Sequence, residues 1–137
     1  PVVCAPPAGS HFYCCRPAPM LKAFELSTLL IDRKQIHIEY FDAQGIAATD
    51  GGYTIELKSG KEIAVPAGKT ILQVLRDHNI EVPSACEEGI CGACETRILS
   101  GTPDHRDSIL SESEREEGKT MMICCSGSKT PRIVLDI

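Results

Sequence analysis

The chain has 137 residues, 42% hydrophobic and 24% charged, with a net charge of −5; this suits a folded, water-exposed domain with its own core, and no apolar run of about 18 residues is present to span a bilayer. Residues 1–42 carry four basic and four acidic groups, whereas residues 43–137 carry ten basic and fifteen acidic. That balance argues against a nucleic-acid partner and allows a basic protein one. The chain starts at Pro1 rather than Met, as a processed or excised piece would, and its N-terminus lacks the charged flank and long apolar stretch of a signal peptide. A cytoplasmic location is the resulting expectation.

In chain order, HFYCC reads as a short buried strand. PAPMLKAFELSTLL predicts a helix over about 18–30, with prolines at its start and Met20, Leu21 and Phe24 at helical spacing. QIHIEYF alternates Ile36, Ile38 and Tyr40 against His37 and Glu39, as a strand does. Strand, helix and strand make one βαβ unit, too little for a domain, so residues 1–42 read as the tail of a larger α/β domain. Residues 43–52 are small, polar and glycine-containing, as linkers are.

The rest, residues 53–137, predicts a hairpin turning at Ser59-Gly60 and a helix capped by Thr70 that ends near Asn79. A strand ETRILSG follows, then a short helix opened by the capping-box pattern SESE and stopped by Gly118. MMICC and RIVLDI complete a mixed sheet. Hairpin, helix, then further strands is the order of a β-grasp, giving an α+β class for this part.

Eight cysteines are many for this length, and three of them crowd the segment CEEGICGAC. Their spacing, Cys86-x4-Cys91-x2-Cys94 with a distant Cys124 or Cys125, is that of a plant-type 2Fe-2S cluster site. Such a cluster is anionic, so backbone N–H groups must face its sulfurs; a tight loop through Glu88, Gly89, Ile90, Gly92 and Ala93 can supply them. Gly89 and Gly92 permit positive φ and close approach. Glu87 and Glu88 are expected to face solvent. A structural zinc or a disulfide remains the competing reading of the same thiols, but zinc sites use two short pairs, and disulfides are rare without a secretory signal. His11, His37 and His78 are scattered and suggest no metal site. Cys4 and Cys14 have no spacing partner. In DHRD (104–107), surface hydrogen bonding is the expected role of His105 and Asp107.

Residues 50–137 resemble the plant-type 2Fe-2S ferredoxin family, and more narrowly the C-terminal ferredoxin domain of phthalate dioxygenase reductase-like and vanillate demethylase reductase-like proteins. SACEEGICGACETRILSGTPDHRDSILSESE (84–114), MMICCS and RIVLDI carry the likeness. The resemblance implies a parent reductase with an FMN domain and an NAD(H) domain ahead of the ferredoxin domain. It makes residues 1–42 the end of the NAD-binding domain. YCCRPAPM then maps Cys15 near the nicotinamide, although Arg16 stands where the family has glycine, and IHIEYF maps Phe41 near the flavin. The resemblance also selects Cys124, not Cys125, as the fourth ligand; on a strand the two would face opposite sides. The implied role is one-electron transfer from NADH-reduced FMN to the terminal Rieske-type component of an aromatic-compound oxygenase or demethylase. The chain would then be part of an NADH-dependent oxidoreductase, docking through Glu87, Glu88 and Glu95. The alternative is a free-standing ferredoxin, or a ferredoxin domain of another oxidoreductase. With no glycine-rich phosphate loop, FMN and NADH are expected in the parent protein and not on this chain alone.

Overall fold

A computed structural model describes residues 7–15, 18–39 and 45–137. The chain separates into two compact units, residues 1–42 and 43–137.

In the first unit, β1 (Phe12–Cys15) and β2 (Ile36–Glu39) pair in parallel, with Phe12 opposite Ile36 and Cys15 opposite Glu39. Between them run α1 (Ala18–Ser27) and a 3₁₀ turn (Arg33–Gln35) whose N-cap Asp32 accepts from the Lys34 N–H. The helix is shorter than the expected 18–30. Beyond Ser27 the chain turns, with the Thr28 hydroxyl bonded back to the Phe24 carbonyl at 2.9 Å. Leu21 is buried, while Tyr13, Met20, Leu26, Leu29 and Leu30 are exposed. A lone βαβ unit has too few layers to cover these residues.

The second unit is built on a five-stranded sheet of, in spatial order, residues 62–65, 53–57, 132–135, 95–100 and 120–122. β3 (Tyr53–Leu57) and β4 (Glu62–Val65) form the expected hairpin, closed where the Gly60 N–H reaches the Leu57 carbonyl at 2.8 Å with φ +85. β9 (Arg132–Leu135) runs parallel to β3, and β5 (Glu95–Ser100) is antiparallel to both β9 and β7 (Thr120–Met122). α2 (Ile71–Asp77) buries Ile71, Leu72, Val74 and Leu75 in one core with Ile55, Met121, Ile133 and Leu135. This is the α+β, β-grasp architecture read from the sequence. Residues 45–52 pack onto this unit: Ala48 is buried and its N–H donates to the Cys125 carbonyl at 2.7 Å.

Local signals set both helix ends of α2 and α3 (Glu112–Glu117). Thr70 and Gln73 cap α2 reciprocally, and Ser111 and Glu114 do the same for α3. Asn79 ends α2 with φ +57 and Gly118 ends α3 with φ +61. The capped end of α2 matters to the site, because the Leu72 N–H donates to the Ile123 carbonyl, one residue before Cys124. Thr70→Ala is therefore expected to cost about 1 kcal/mol, read as a lower midpoint in chemical unfolding; an unchanged midpoint would mean the cap contributes nothing.

Two features depart from the sequence reading. β7 stops at Met122, so Cys124 and Cys125 lie in a turn and not on a strand. The N–H groups of Cys125 and Ser126 both fold back on the Met122 carbonyl, at 3.3 and 2.9 Å, which breaks the ladder there. A second pairing, β6 (Pro103–Asp104) with β8 (Gly127–Ser128), ties the 103–107 segment to the end of that turn.

Candidate metal centre

The loop from Cys86 to Cys94 wraps its own amides around sulfur. Glu88 and Ile90 direct their N–H groups at the Cys86 Sγ, at 3.3 and 3.5 Å. Ala93 and Cys86 direct theirs at the Cys91 Sγ, at 3.4 and 3.5 Å. Three of the five backbone positions expected to do this, Glu88, Ile90 and Ala93, are therefore donors to these two sulfurs. Gly92 serves differently: its φ is +78 and its carbonyl takes the Glu95 N–H that starts β5. Gly89 is buried with φ +75. A Cβ there would lie 2.6 Å from the Cys125 Sγ and 3.1 Å from the Asp107 Cα. At Gly92 a Cβ would meet only the Ile109 side chain, at 3.6 Å. Conformation alone requires glycine at 92, whereas both conformation and space require it at 89.

The thiols fall into two neighbouring groups, Cys86 with Cys91, and Cys94 with Cys124 and Cys125. Burial acts to raise the Cys86 thiol, but N–H donation from Glu88 and Ile90, with Cys91 alongside, outweighs it and brings the group down to about 7. Cys94 is pushed up, first by its hydrogen bond with Cys124 and then by burial. Cys124 is pushed up to about 11, chiefly by the Cys125 thiol and also by burial, against opposing pulls from Cys94 and the Gly89 N–H. Cys94, Cys124 and Cys125 are all buried, while Cys91 is exposed.

This donor set fits a two-iron cluster. Four cysteines are what such a cluster takes, the amides face sulfur as its negative charge requires, and the close approach at Gly89 leaves no room for a side chain.

A polar layer supports the loop through the DHRD segment, which lies deeper than a surface role implies. The Asp107 side chain is fully buried; it accepts from the Ile109 and Leu110 N–H groups at 3.0 and 2.8 Å. Arg115 donates to the Asp107 carbonyl, and the Ser108 N–H reaches the Gly89 carbonyl at 2.9 Å. His105 is 9% exposed, with its Nδ1 3.8 Å from Asp107. Burial holds the imidazole below the usual histidine range, against the pull of Asp107. Arg106 clamps Asp104 through two nitrogens, at 2.9 and 3.1 Å, and its backbone N–H meets the Ser126 hydroxyl.

Glu87 is exposed as expected, and it is also paired. Its carboxylate accepts from Arg76 at 2.6 Å, and the same guanidinium nitrogen reaches the Ser84 hydroxyl at 2.7 Å. The pair holds the Glu87 carboxyl below its usual range. Glu88 and Glu95 are exposed as expected.

In the first unit, Cys15 is exposed at the C-terminal end of β1, the end at which open α/β sheets place ligands. Arg16, Pro17 and Phe41 lie outside the described residues, as does Cys4. The histidines are less scattered than their sequence positions: parallel pairing brings His11 Nδ1 to 2.9 Å from His37 Nε2, and Tyr13 stacks on His37 with ring centres 4.4 Å apart. No sequence signal fixes the register that produces this contact. Among the described residues, no helix is long and apolar enough to cross a membrane.

Residues 55–128 match the model of the 2Fe-2S iron-sulfur cluster binding domain. The chain is 52% identical, over 137 residues, to a protein named phenoxybenzoate dioxygenase subunit beta from Ectopseudomonas oleovorans, spanning 99% of this chain and 43% of that protein. A structure described as phthalate dioxygenase reductase, a modular structure for electron transfer from pyridine nucleotides to 2Fe-2S, superposes with a TM-score of 0.69 at 38% identity. It covers 97% of this chain and 41% of that one. A structure of Pseudomonas putida CBB5 NdmA with the ferredoxin domain of NdmD gives a TM-score of 0.60 at 40% identity, covering 62% of this chain and 98% of its own. The chain thus spans less than half the length of the first two. With its loop geometry, its β-grasp sheet and these likenesses in agreement, the chain belongs to the 2Fe-2S iron-sulfur cluster binding family.

Proposed function

We propose that the chain is the electron-exit module of a larger reductase, with a 2Fe-2S cluster held by Cys86, Cys91, Cys94 and Cys124. Bound there, the cluster supplies a reversible one-electron store whose potential follows hydrogen bonding to sulfur, net charge and solvent exposure. The chain's own groups govern all three. The N–H groups of Glu88, Ile90 and Ala93 offset negative charge on the Cys86 and Cys91 sulfurs. The buried run Met121, Met122 and Ile123 leading into Cys124 keeps water from the inner side. On the outer side, exposed Cys91 and Ala93 present thin backbone, a short path for an electron to leave. Glu88 and Glu95 beside it suit a basic docking face, which raises on-rate more than affinity.

In the parent protein, the donor we assign is NADH-reduced FMN and the acceptor is the terminal Rieske-type component of an aromatic-ring oxygenase or demethylase. FMN and NADH would be held by other domains. Residues 1–42 would then be the C-terminal remnant of the NAD-binding domain, with Cys15 beside the nicotinamide and Phe41 toward the flavin. The exposed apolar residues of α1 and the following turn support that reading, since they are what a missing layer would cover.

The observation that carries the proposal is the inward set of amide-to-sulfur hydrogen bonds on a β-grasp loop. Its test is kinetic. In the parent reductase carrying this domain, NADH should bleach the visible bands of the cluster after those of the flavin. The reduced protein should be reoxidised on mixing with the oxygenase component. Reduction by NADH with no reoxidation by any oxygenase of this type would refute the assigned acceptor.

A further inference from the structure

The Arg76–Glu87 pair explains a backbone anomaly at the first cysteine of the loop. Glu87 has φ +58 and, with Asn79, is one of two non-glycine residues at positive φ among those described. Asn enters that region readily, but Glu has neither the missing Cβ of glycine nor the short amide of Asn to ease it. The left-handed turn at Glu87 has a consequence one residue later: it swings the Glu88 N–H back onto the Cys86 Sγ, at 3.3 Å. The carboxylate of Glu87 is gripped by Arg76 at 2.6 Å, and Ser84, on the other side of Cys86, is gripped by the same nitrogen at 2.7 Å. Arg76 itself stands on the last turn of α2, whose opposite face is locked into the core by Ile71, Leu72, Val74 and Leu75. A rigid element thus reaches across and fixes both flanks of Cys86.

We propose that Arg76 is a positioning residue for the cluster. By holding Glu87 in the left-handed turn, it aims the Glu88 N–H at the Cys86 sulfur and so sets the reduction potential. This rests on the cluster assignment made above. Losing an N–H···S bond destabilises the more negative, reduced form, so weakening the clamp lowers the potential and loosens the loop.

The experiment uses the holo chain and begins with the visible spectrum of the wild type. A wild type without cluster bands would defeat the cluster assignment itself, and with it this proposal. Given those bands, redox titration of Arg76→Gln should show the reduced-to-oxidised ratio at the wild-type midpoint falling about threefold. That is about 28 mV for a one-electron couple at 59 mV per tenfold. Iron release to a chelator should quicken about threefold, and the EPR line shape of the reduced protein should change. Arg76→Lys should recover part of each effect. The decisive arm is Glu87→Gly, which adopts the turn without help. Adding Arg76→Gln to Glu87→Gly should move the midpoint ratio by less than about 1.3-fold, because the turn no longer depends on the clamp. A shift in that background as large as in the wild type would mean that Arg76 acts through its charge or through Ser84 and not through the Glu87 turn. No shift in the single variant would mean that the turn holds itself. Either result overturns the proposal.

Discussion

Cys124→Ser is expected to lose most of the cluster, while Cys125→Ser keeps it. Soft thiolates select iron–sulfur clusters, and a hydroxyl is a poor substitute, so occupancy should fall on the order of tenfold or more. The two residues are adjacent and both buried, which makes the comparison demanding: a purely packing effect would strike both. The two thiols also touch each other, but only Cys124 hydrogen-bonds with Cys94, the last thiol of the loop; the other neighbours of Cys125 are the Met122 carbonyl and the Ser126 hydroxyl, at 3.8 and 3.9 Å. Visible absorbance per chain after anaerobic reconstitution reads the outcome. Full absorbance from Cys124→Ser together with loss in Cys125→Ser would reverse the assignment of the fourth ligand.

Gly89→Ala should be comparably severe by a different route. Two costs coincide there. An L-residue at φ +75 pays roughly 1–2 kcal/mol. The new methyl would also stand 2.6 Å from the Cys125 Sγ and 3.1 Å from the Asp107 Cα, an overpacking cost of about 1–3 kcal/mol. The loop must shift, and the amides on Cys86 shift with it. Combining Gly89→Ala with Cys125→Ala removes the sulfur contact and leaves the backbone cost and the Asp107 contact. Cluster occupancy and thermal midpoint should therefore recover in part but not fully. No recovery would assign the whole penalty to the backbone and to Asp107. Gly92→Ala is the control, since only the conformational part of the penalty applies at that position.

Much of the β-grasp unit was legible because its signals are local. The Ser59-Gly60 turn, the cap at Thr70, the capping box at Ser111, and the stop at Gly118 each rest on a few adjacent residues. The cysteine loop was legible for the same reason, its spacing and its two glycines lying within nine residues. The fourth cysteine was harder. MMICC is a short apolar run, and such a run cannot by itself separate a strand from a buried turn. The strand expectation failed where Cys125 and Ser126 turn back on Met122. The support behind the loop was not legible either. The grip of Arg76 on Glu87 joins a helix to a loop eleven residues away, and the two-residue pairing of Pro103–Asp104 with Gly127–Ser128 is too short to leave a pattern. Asp107 read as a surface residue because sequence records its charge and not the two backbone N–H groups that its carboxylate satisfies inside.

The most direct test of the two-iron cluster is low-temperature EPR of the anaerobically reconstituted chain before and after dithionite reduction, with iron, sulfide and zinc assayed on the same sample. The oxidised protein should be coloured and EPR-silent and should gain a signal of about one spin per chain on reduction, with about two irons and two sulfides bound. A colourless protein that stays EPR-silent under dithionite and carries stoichiometric zinc would contradict the cluster assignment.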